Sequence, residues 1–334
     1  MIQQLNKALE KFMPLLTPTA VLTGILLHES LGRYSYLVPW IFAWMTFAGS
    51  LSSNFQDLQR VIKHPQPILA NFSVLHLIMP VLAWICGQWL FPGDVLTQTG
   101  LILMFAIPTG VVSMVWVSIY RGAVALTLSL ILLDTLLSPF IVPLTLSLSV
   151  GAKVNMDSWA LMKGLLWMVV IPSLIGMTLN QATRGKVKEK WSANLAPFSK
   201  IGLFIVVAIN GSVLAPYLEH PDWKLLKIIV VAFVLAVIGY IAGLLISRAL
   251  KWERDVTVAL MFNSGMRNLS AGAVLAIAYF PPPVATPVIA GMLFQQIMAS
   301  LFGHAFARLE RSGSRRNNHA GAFSQHPSGR NVSG

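Results

Sequence analysis

The chain has 334 residues, of which 55% are hydrophobic and only 11% charged, against roughly a quarter charged in soluble proteins. Its single cysteine, Cys86, lies in an apolar run and excludes an intramolecular disulfide. A net charge of +12 comes without a soluble domain or interleaved aromatics, which excludes a nucleic-acid surface and leaves no room for a separate catalytic domain.

Apolar runs repeatedly exceed the roughly 18 residues that cross a hydrocarbon core about 30 Å thick, so the lipid bilayer is the expected environment. Ten spans are expected. Lys7, Glu10 and Lys11 precede the first, 12–28, and no small-residue cleavage site follows. The start therefore reads as an amphipathic entry rather than a cleaved signal peptide. The remaining spans are 37–53, 67–91, 97–120, 123–150, 159–179, 198–218, 225–247, 256–280 and 284–307. With the N-terminus inside, Arg33, Lys153, Lys163, Lys224 and Lys227 fall outside, Arg267 falls within a span, and every other lysine and arginine falls inside. The positive-inside rule then makes the chain a multi-pass protein of the inner (plasma) membrane with both termini cytoplasmic. The basic loop 184–200 reads as facing anionic lipid. The segment 311–334, rich in Ser, Gly, Asn and His, reads as a disordered cytoplasmic tail. Its His319 and His326 lack ligand spacing, and neither a metal nor a cofactor is expected.

Five spans, a basic loop and five more spans divide the chain into halves, 1–150 and 151–310, and an odd number per half makes the copies inverted. The fourth span is interrupted at Ala106-Ile-Pro-Thr-Gly-Val-Val-Ser113 and the ninth at Asn263-Ser-Gly-Met-Arg-Asn-Leu-Ser270. Corresponding interrupted helices point to a midplane binding site. Within the second lies Arg267, whose guanidinium at bilayer depth costs at least about 2.5–3.5 kcal/mol and so needs a partner or a purpose. Asp134 in the fifth span is the only carboxylate well inside a span. Asn263, Asn268, Ser113, Ser264 and Gln295 complete the candidate polar set, with Gly110 and Gly265 at the breaks. His76 in the third span reads either as a proton carrier or as a donor to a backbone carbonyl. No HExxH, phosphate loop or serine elbow supports a membrane enzyme, and no ring-forming filter motif supports a channel.

The runs Ile78-Met-Pro80, Pro108-Thr-Gly110 to Ser113, Arg121-Gly-Ala-Val-Ala-Leu126, Thr135-Leu-Leu-Ser-Pro139, Gly265-Met-Arg-Asn268 and Ala271-Gly-Ala-Val-Leu-Ala276 carry a resemblance across most of the chain. In order and spacing they resemble the bile acid:sodium symporter family, in its bacterial branch. The resemblance implies an all-α membrane fold of ten helices, two inverted five-helix repeats with broken helices 4 and 9 crossing, and separate panel and core domains. It also implies symport of small organic anions by alternating access. The arsenite permeases of the same superfamily rely on a cysteine in the broken fourth span, and that segment has none here.

Departures from the family pattern fall on the cation ligands. The usual glutamate position is Asn263, the glutamine position is Arg267, and Gly265, Met266 and Asn268 match. Ser113 is retained, but the asparagine after it is Met114, a threonine position is Ile131 and a glutamine position is Leu75. These replacements argue against sodium coupling in the family's usual form. In the family's architecture the fifth and ninth spans both line the core domain, so the resemblance implies that Asp134 faces Arg267 as its counter-charge, and three roles for these residues stay open. Arg267 with Asp134 is a fixed stand-in for sodium and transport is uncoupled or exchange-driven; or Asp134 titrates and protons couple; or Arg267 binds a substrate carboxylate with its planar fork.

Overall fold

A computed structural model describes residues 13–53, 55, 65–151, 154, 156–218 and 222–323. Of the expected features, the entry segment 1–11, Arg60, Lys63, Lys153 and the tail residues 324–334 lie outside these. The described residues form an all-helical membrane protein, with no strand among them beyond one isolated bridge. The helices are α1 (Met13–Leu26), α2 (Val38–Ser50), α3 (Pro65–Leu90), α4 (Val95–Ala106), α5 (Ser113–Ile119) and α6 (Val124–Val150). They continue as α7 (Ser158–Ala182), α8 (Ala193–Leu218), α9 (Trp223–Ala249), α10 (Arg254–Gly265), α11 (Leu269–Tyr279) and α12 (Ala285–Phe323). Among them α3, α6, α7, α9 and the segment Pro282–Glu310 are long and apolar enough to cross a membrane by length and composition. The last helix runs well into the segment expected to be an unstructured tail.

Prolines shape these helices. Within α3 and α7 a single π turn, Val74–Ile78 and Leu166–Val170, sits just before Met79-Pro80 and Ile171-Pro172. A proline has no N–H and its ring clashes with the carbonyl four residues back, so widening that turn relieves both faults. Pro108 acts more strongly. The residue before a proline is pushed out of helical geometry, and Ile107 is extended at ψ 152°, which ends α4.

Packing sorts the helices into two groups. Helices α1, α2, α7 and α8 pack on one another, so each group draws from both halves of the chain. The second group assembles α4 against α3, α6 and α12, with α9 against α10 and α12. A cavity of about 390 Å³ separates the groups.

Candidate functional site

The two interruptions meet in the second group. At the first, the chain is extended from Ile107 and re-enters helix at Ser113; at the second, Met266 is extended at ψ 135°. Thr109 and Arg267 form an antiparallel bridge, with Gly110 N donating to Met266 O (3.2 Å) and Asn268 N donating to Pro108 O (2.8 Å). Each break thus satisfies backbone groups that the other lost, as a chain must wherever it leaves helical geometry in a membrane. Gly110 is required here, because a Cβ would lie 2.8 Å from Arg267 O. Gly265 is required too, since a Cβ would stand 2.3 Å from the Tyr240 ring. Asn268 caps α11, its Oδ1 accepting from Ala271 N (3.3 Å).

Side chains bind the crossover further. Thr109 Oγ1 donates to Asn263 O (2.9 Å) and Met266 O (3.2 Å). The Asn263 amide donates to Thr127 Oγ1 (3.0 Å) and Ala259 O (2.7 Å), while its Oδ1 accepts from Ser113 Oγ (3.0 Å). Ser264 donates to Asn71 Oδ1 (2.9 Å), and Gln295 Oε1 accepts from Arg267 N (3.0 Å). Of the expected site residues, Ser113, Asn263, Ser264, Gly110, Gly265, Asn268 and Gln295 therefore gather at the crossover. Thr109, Thr127 and Asn71 belong with them and were missed. For Thr109 the signal was present, since it lies between Pro108 and Gly110.

The expected ion pair between Asp134 and Arg267 does not form. Asp134 is fully buried, and its Oδ1 meets His76 Nε2 at 2.7 Å while its Oδ2 accepts from Thr109 N at 2.7 Å. Both partners have a local cause: the π turn carries His76, and the break at Pro108 frees the Thr109 N–H. His76 accordingly bonds a carboxylate rather than a backbone carbonyl. Arg267, 2% exposed, instead sends its guanidinium over the Phe105 ring, 5.9 Å from the centroid. Its three guanidinium nitrogens have no hydrogen-bond partner among the described residues, and Asp134 and Tyr240 act on it only at longer range.

The cavity between the helix groups touches this crossover. One wall carries Phe42, Thr46 and Ser50 of α2, Ser173 of α7 and Lys200 and Leu203 of α8. The other carries Gly110 and Met114, Ile131 and Thr135 of α6, Arg267, Asn268 and Ser270, and Gln295 and Gln296 of α12. The N-terminus of α11 lies in this wall, and helix N-termini favour negative charge. Such an arrangement suits an amphipathic anion. Among the described residues no group of three metal-ligating side chains occurs.

Residues 39–221 match the family described as the Sodium Bile acid symporter family. The chain is 52% identical to the uncharacterized protein YbaS of Bacillus subtilis, covering 89% of this chain and 97% of that protein. It is 27% identical to the uncharacterized sodium-dependent transporter YocS of the same organism, over 75% of this chain and 79% of that one. With the probable chloroplastic sodium/metabolite cotransporter BASS1 of Oryza sativa it shares 25% identity, over 75% of this chain and 61% of the relative.

Proposed function

Because the chain belongs to the sodium bile acid symporter family, a family of transporters rather than enzymes, we propose that it moves small organic anions by alternating access, with Arg267 supplying the positive charge of the site. The observation that carries this reading is Arg267, a residue of the cavity wall at the crossing of two broken helices, whose buried guanidinium lies over Phe105 without a hydrogen-bond partner among the described residues. The cavity supports an amphipathic substrate, offering Phe42, Ile131 and Leu203 to an apolar body and the α11 terminus with Asn268 and Gln295 to an anionic head.

Sodium is not the coupling ion in this reading, although relatives are described as sodium-dependent. A hard cation needs free oxygens, and several oxygens at the crossover already accept hydrogen bonds. The Asn263 and Met266 carbonyls accept from Thr109, Asn263 Oδ1 accepts from Ser113, and the Asp134 carboxylate accepts from His76 and Thr109. Met114 and Ile131, at two former ligand positions, line the cavity as apolar side chains.

The halves 1–150 and 151–310 act as inverted repeats of five crossings each, with 311–334 as a cytoplasmic tail, in the inner membrane. Ser53, Ser199 and Lys200 line the cavity near the ends of α2 and α8 that adjoin the basic loop. On the charge-derived orientation those ends face the cytoplasm, so the cavity opens inward. Thermal unfolding of the purified chain in sodium-free buffer tests the binding step, using taurocholate and benzenesulfonate as probes. A saturable rise in Tm is expected from mass action; no rise with either anion, with or without sodium, would remove the reading.

A further inference from the structure

We infer that His76 and Asp134 form a proton site whose occupancy is linked to anion binding, which makes the proton the coupling ion; this rests on the anion transport proposed above. The observation is a buried carboxylate held between an imidazole at 2.7 Å and the backbone N–H of the broken fourth span, also at 2.7 Å.

The first step is a charge count. Among the described residues, Asp134 and Arg267 are the buried acid and the buried base. With His76 neutral their charges cancel. With an imidazolium at His76 the buried core carries one positive charge, which a monovalent anion neutralises. Nε2 already carries the hydrogen it donates to Asp134, so the added proton goes to His76 Nδ1, which has no hydrogen-bond partner among the described residues. That proton and one monovalent anion in the cavity bind favourably together, and each alone leaves a net charge at low dielectric. The added proton resides on Nδ1, while the Nε2–H donates to Asp134 Oδ1 with the ring neutral or charged. No bond other than N–H is made or broken.

The second step is the mechanical link. Asp134 Oδ2 holds Thr109 N, and Thr109 is the residue bridged to Arg267, with its hydroxyl on the carbonyls of Asn263 and Met266. The next residue, Gly110, lines the cavity. A hydrogen bond to a charged carboxylate is about twice as strong as one between neutral groups. When the imidazolium takes up part of the carboxylate's charge, its hold on Thr109 and on the cavity wall changes.

Other titratable groups around the pair are few. Arg267 comes from the second break, with Tyr240 of α9 beside it; α9 otherwise carries Lys224, Lys227 and Arg248 at its ends. Helices α4 and α5 carry none, α7 carries Lys163, α3 carries Cys86 besides His76, and α10 carries Arg254 and Asp255 at its first turn.

The test uses the full chain in sodium-free proteoliposomes with taurocholate and benzenesulfonate. Both stay ionised in this range, so passive entry of a neutral acid does not contribute. A pH gradient of one unit, alkaline inside, is expected to drive accumulation of up to about tenfold with the membrane potential clamped. In His76→Gln, which keeps an N–H donor for Oδ1 and does not titrate, accumulation is expected to vanish and exchange to become flat in pH. Equilibration without accumulation in the wild type, or accumulation that survives in His76→Gln, overturns the proton site and leaves anion transport standing. Absence of any sulfonate flux removes the transport reading instead. The proton site is then decided by the His76 ring signal in nitrogen NMR of the full chain in nanodiscs, identified by its loss in His76→Gln. A ring signal that moves between pH 5 and 8 supports the site, and one that stays fixed overturns it.

Discussion

Burying a guanidinium in hydrocarbon without a carboxylate is costly, and Arg267 keeps its three nitrogens unpaired among the described residues. Breaking a buried ion pair is destabilising, whereas a buried charge without a direct partner carries a desolvation cost that an apolar side chain of similar volume does not. Arg267→Met is therefore expected to raise Tm while lowering organic-anion uptake by about tenfold or more, read by thermal unfolding and flux on the same preparation. A lower Tm would show that the guanidinium holds the fold together. The position of Arg267 was legible because a permanent charge stands out in an apolar run. Its lack of a pairing with Asp134 was not legible. Which face of α3 meets α6 depends on the π turn at Val74–Ile78, and a change of helical phase leaves no mark in hydrophobic periodicity.

The breaks illustrate what helix-scale sequence signals carry. Pro108 and Gly110 located the first interruption and Gly265 the second, each through a steric demand the chain cannot evade. That the breaks bond each other as an antiparallel bridge depends on tertiary placement, which the resemblance implied and the residues alone did not. Gly110→Ala pushes a methyl against Arg267 O and is expected to cost about 1–3 kcal/mol, with anion uptake lost even where the fold survives. Native-like uptake in Gly110→Ala would mean that the breaks stand further apart in the working protein. At the start of α4, Asp94 caps the helix by accepting from Thr97 N (3.2 Å) and pairs with Lys224 of α9 at 2.7 Å. Burial raises its carboxyl, but the Lys224 and Thr97 contacts outweigh this and hold it below the ordinary carboxylate value. A depressed value gives stability above the ordinary pKa of about 3.9 that is lost as pH falls through the folded one. Asp94→Asn keeps a capping side chain and should cost less than about 1 kcal/mol at pH 7. In thermal scans across pH, its gap from wild type should close as the pH falls below about 4.

Over the whole molecule, α1, α2, α7 and α8 stand across the cavity from the group that holds the crossover. In the proposed alternating-access cycle, sliding of one group against the other would expose the wall of Gly110, Asn268 and Gln295 to each side in turn. The membrane character and the helical segments were plain from composition, whereas the grouping of first-half with second-half helices was not, because it is set by contacts far apart in the chain. The orientation rests on charge alone, so a tag at either end is expected to be protected in right-side-out vesicles and cleaved in inverted ones; opposite behaviour of the two ends would contradict it. The most direct test of a built-in cation in place of sodium is uptake of radiolabelled organic anions into proteoliposomes, with and without a sodium gradient. Uptake indifferent to sodium and lost in Arg267→Met is the expected result. Uptake driven by the sodium gradient would show that a cation site survives among other oxygens and that Arg267 does not replace it.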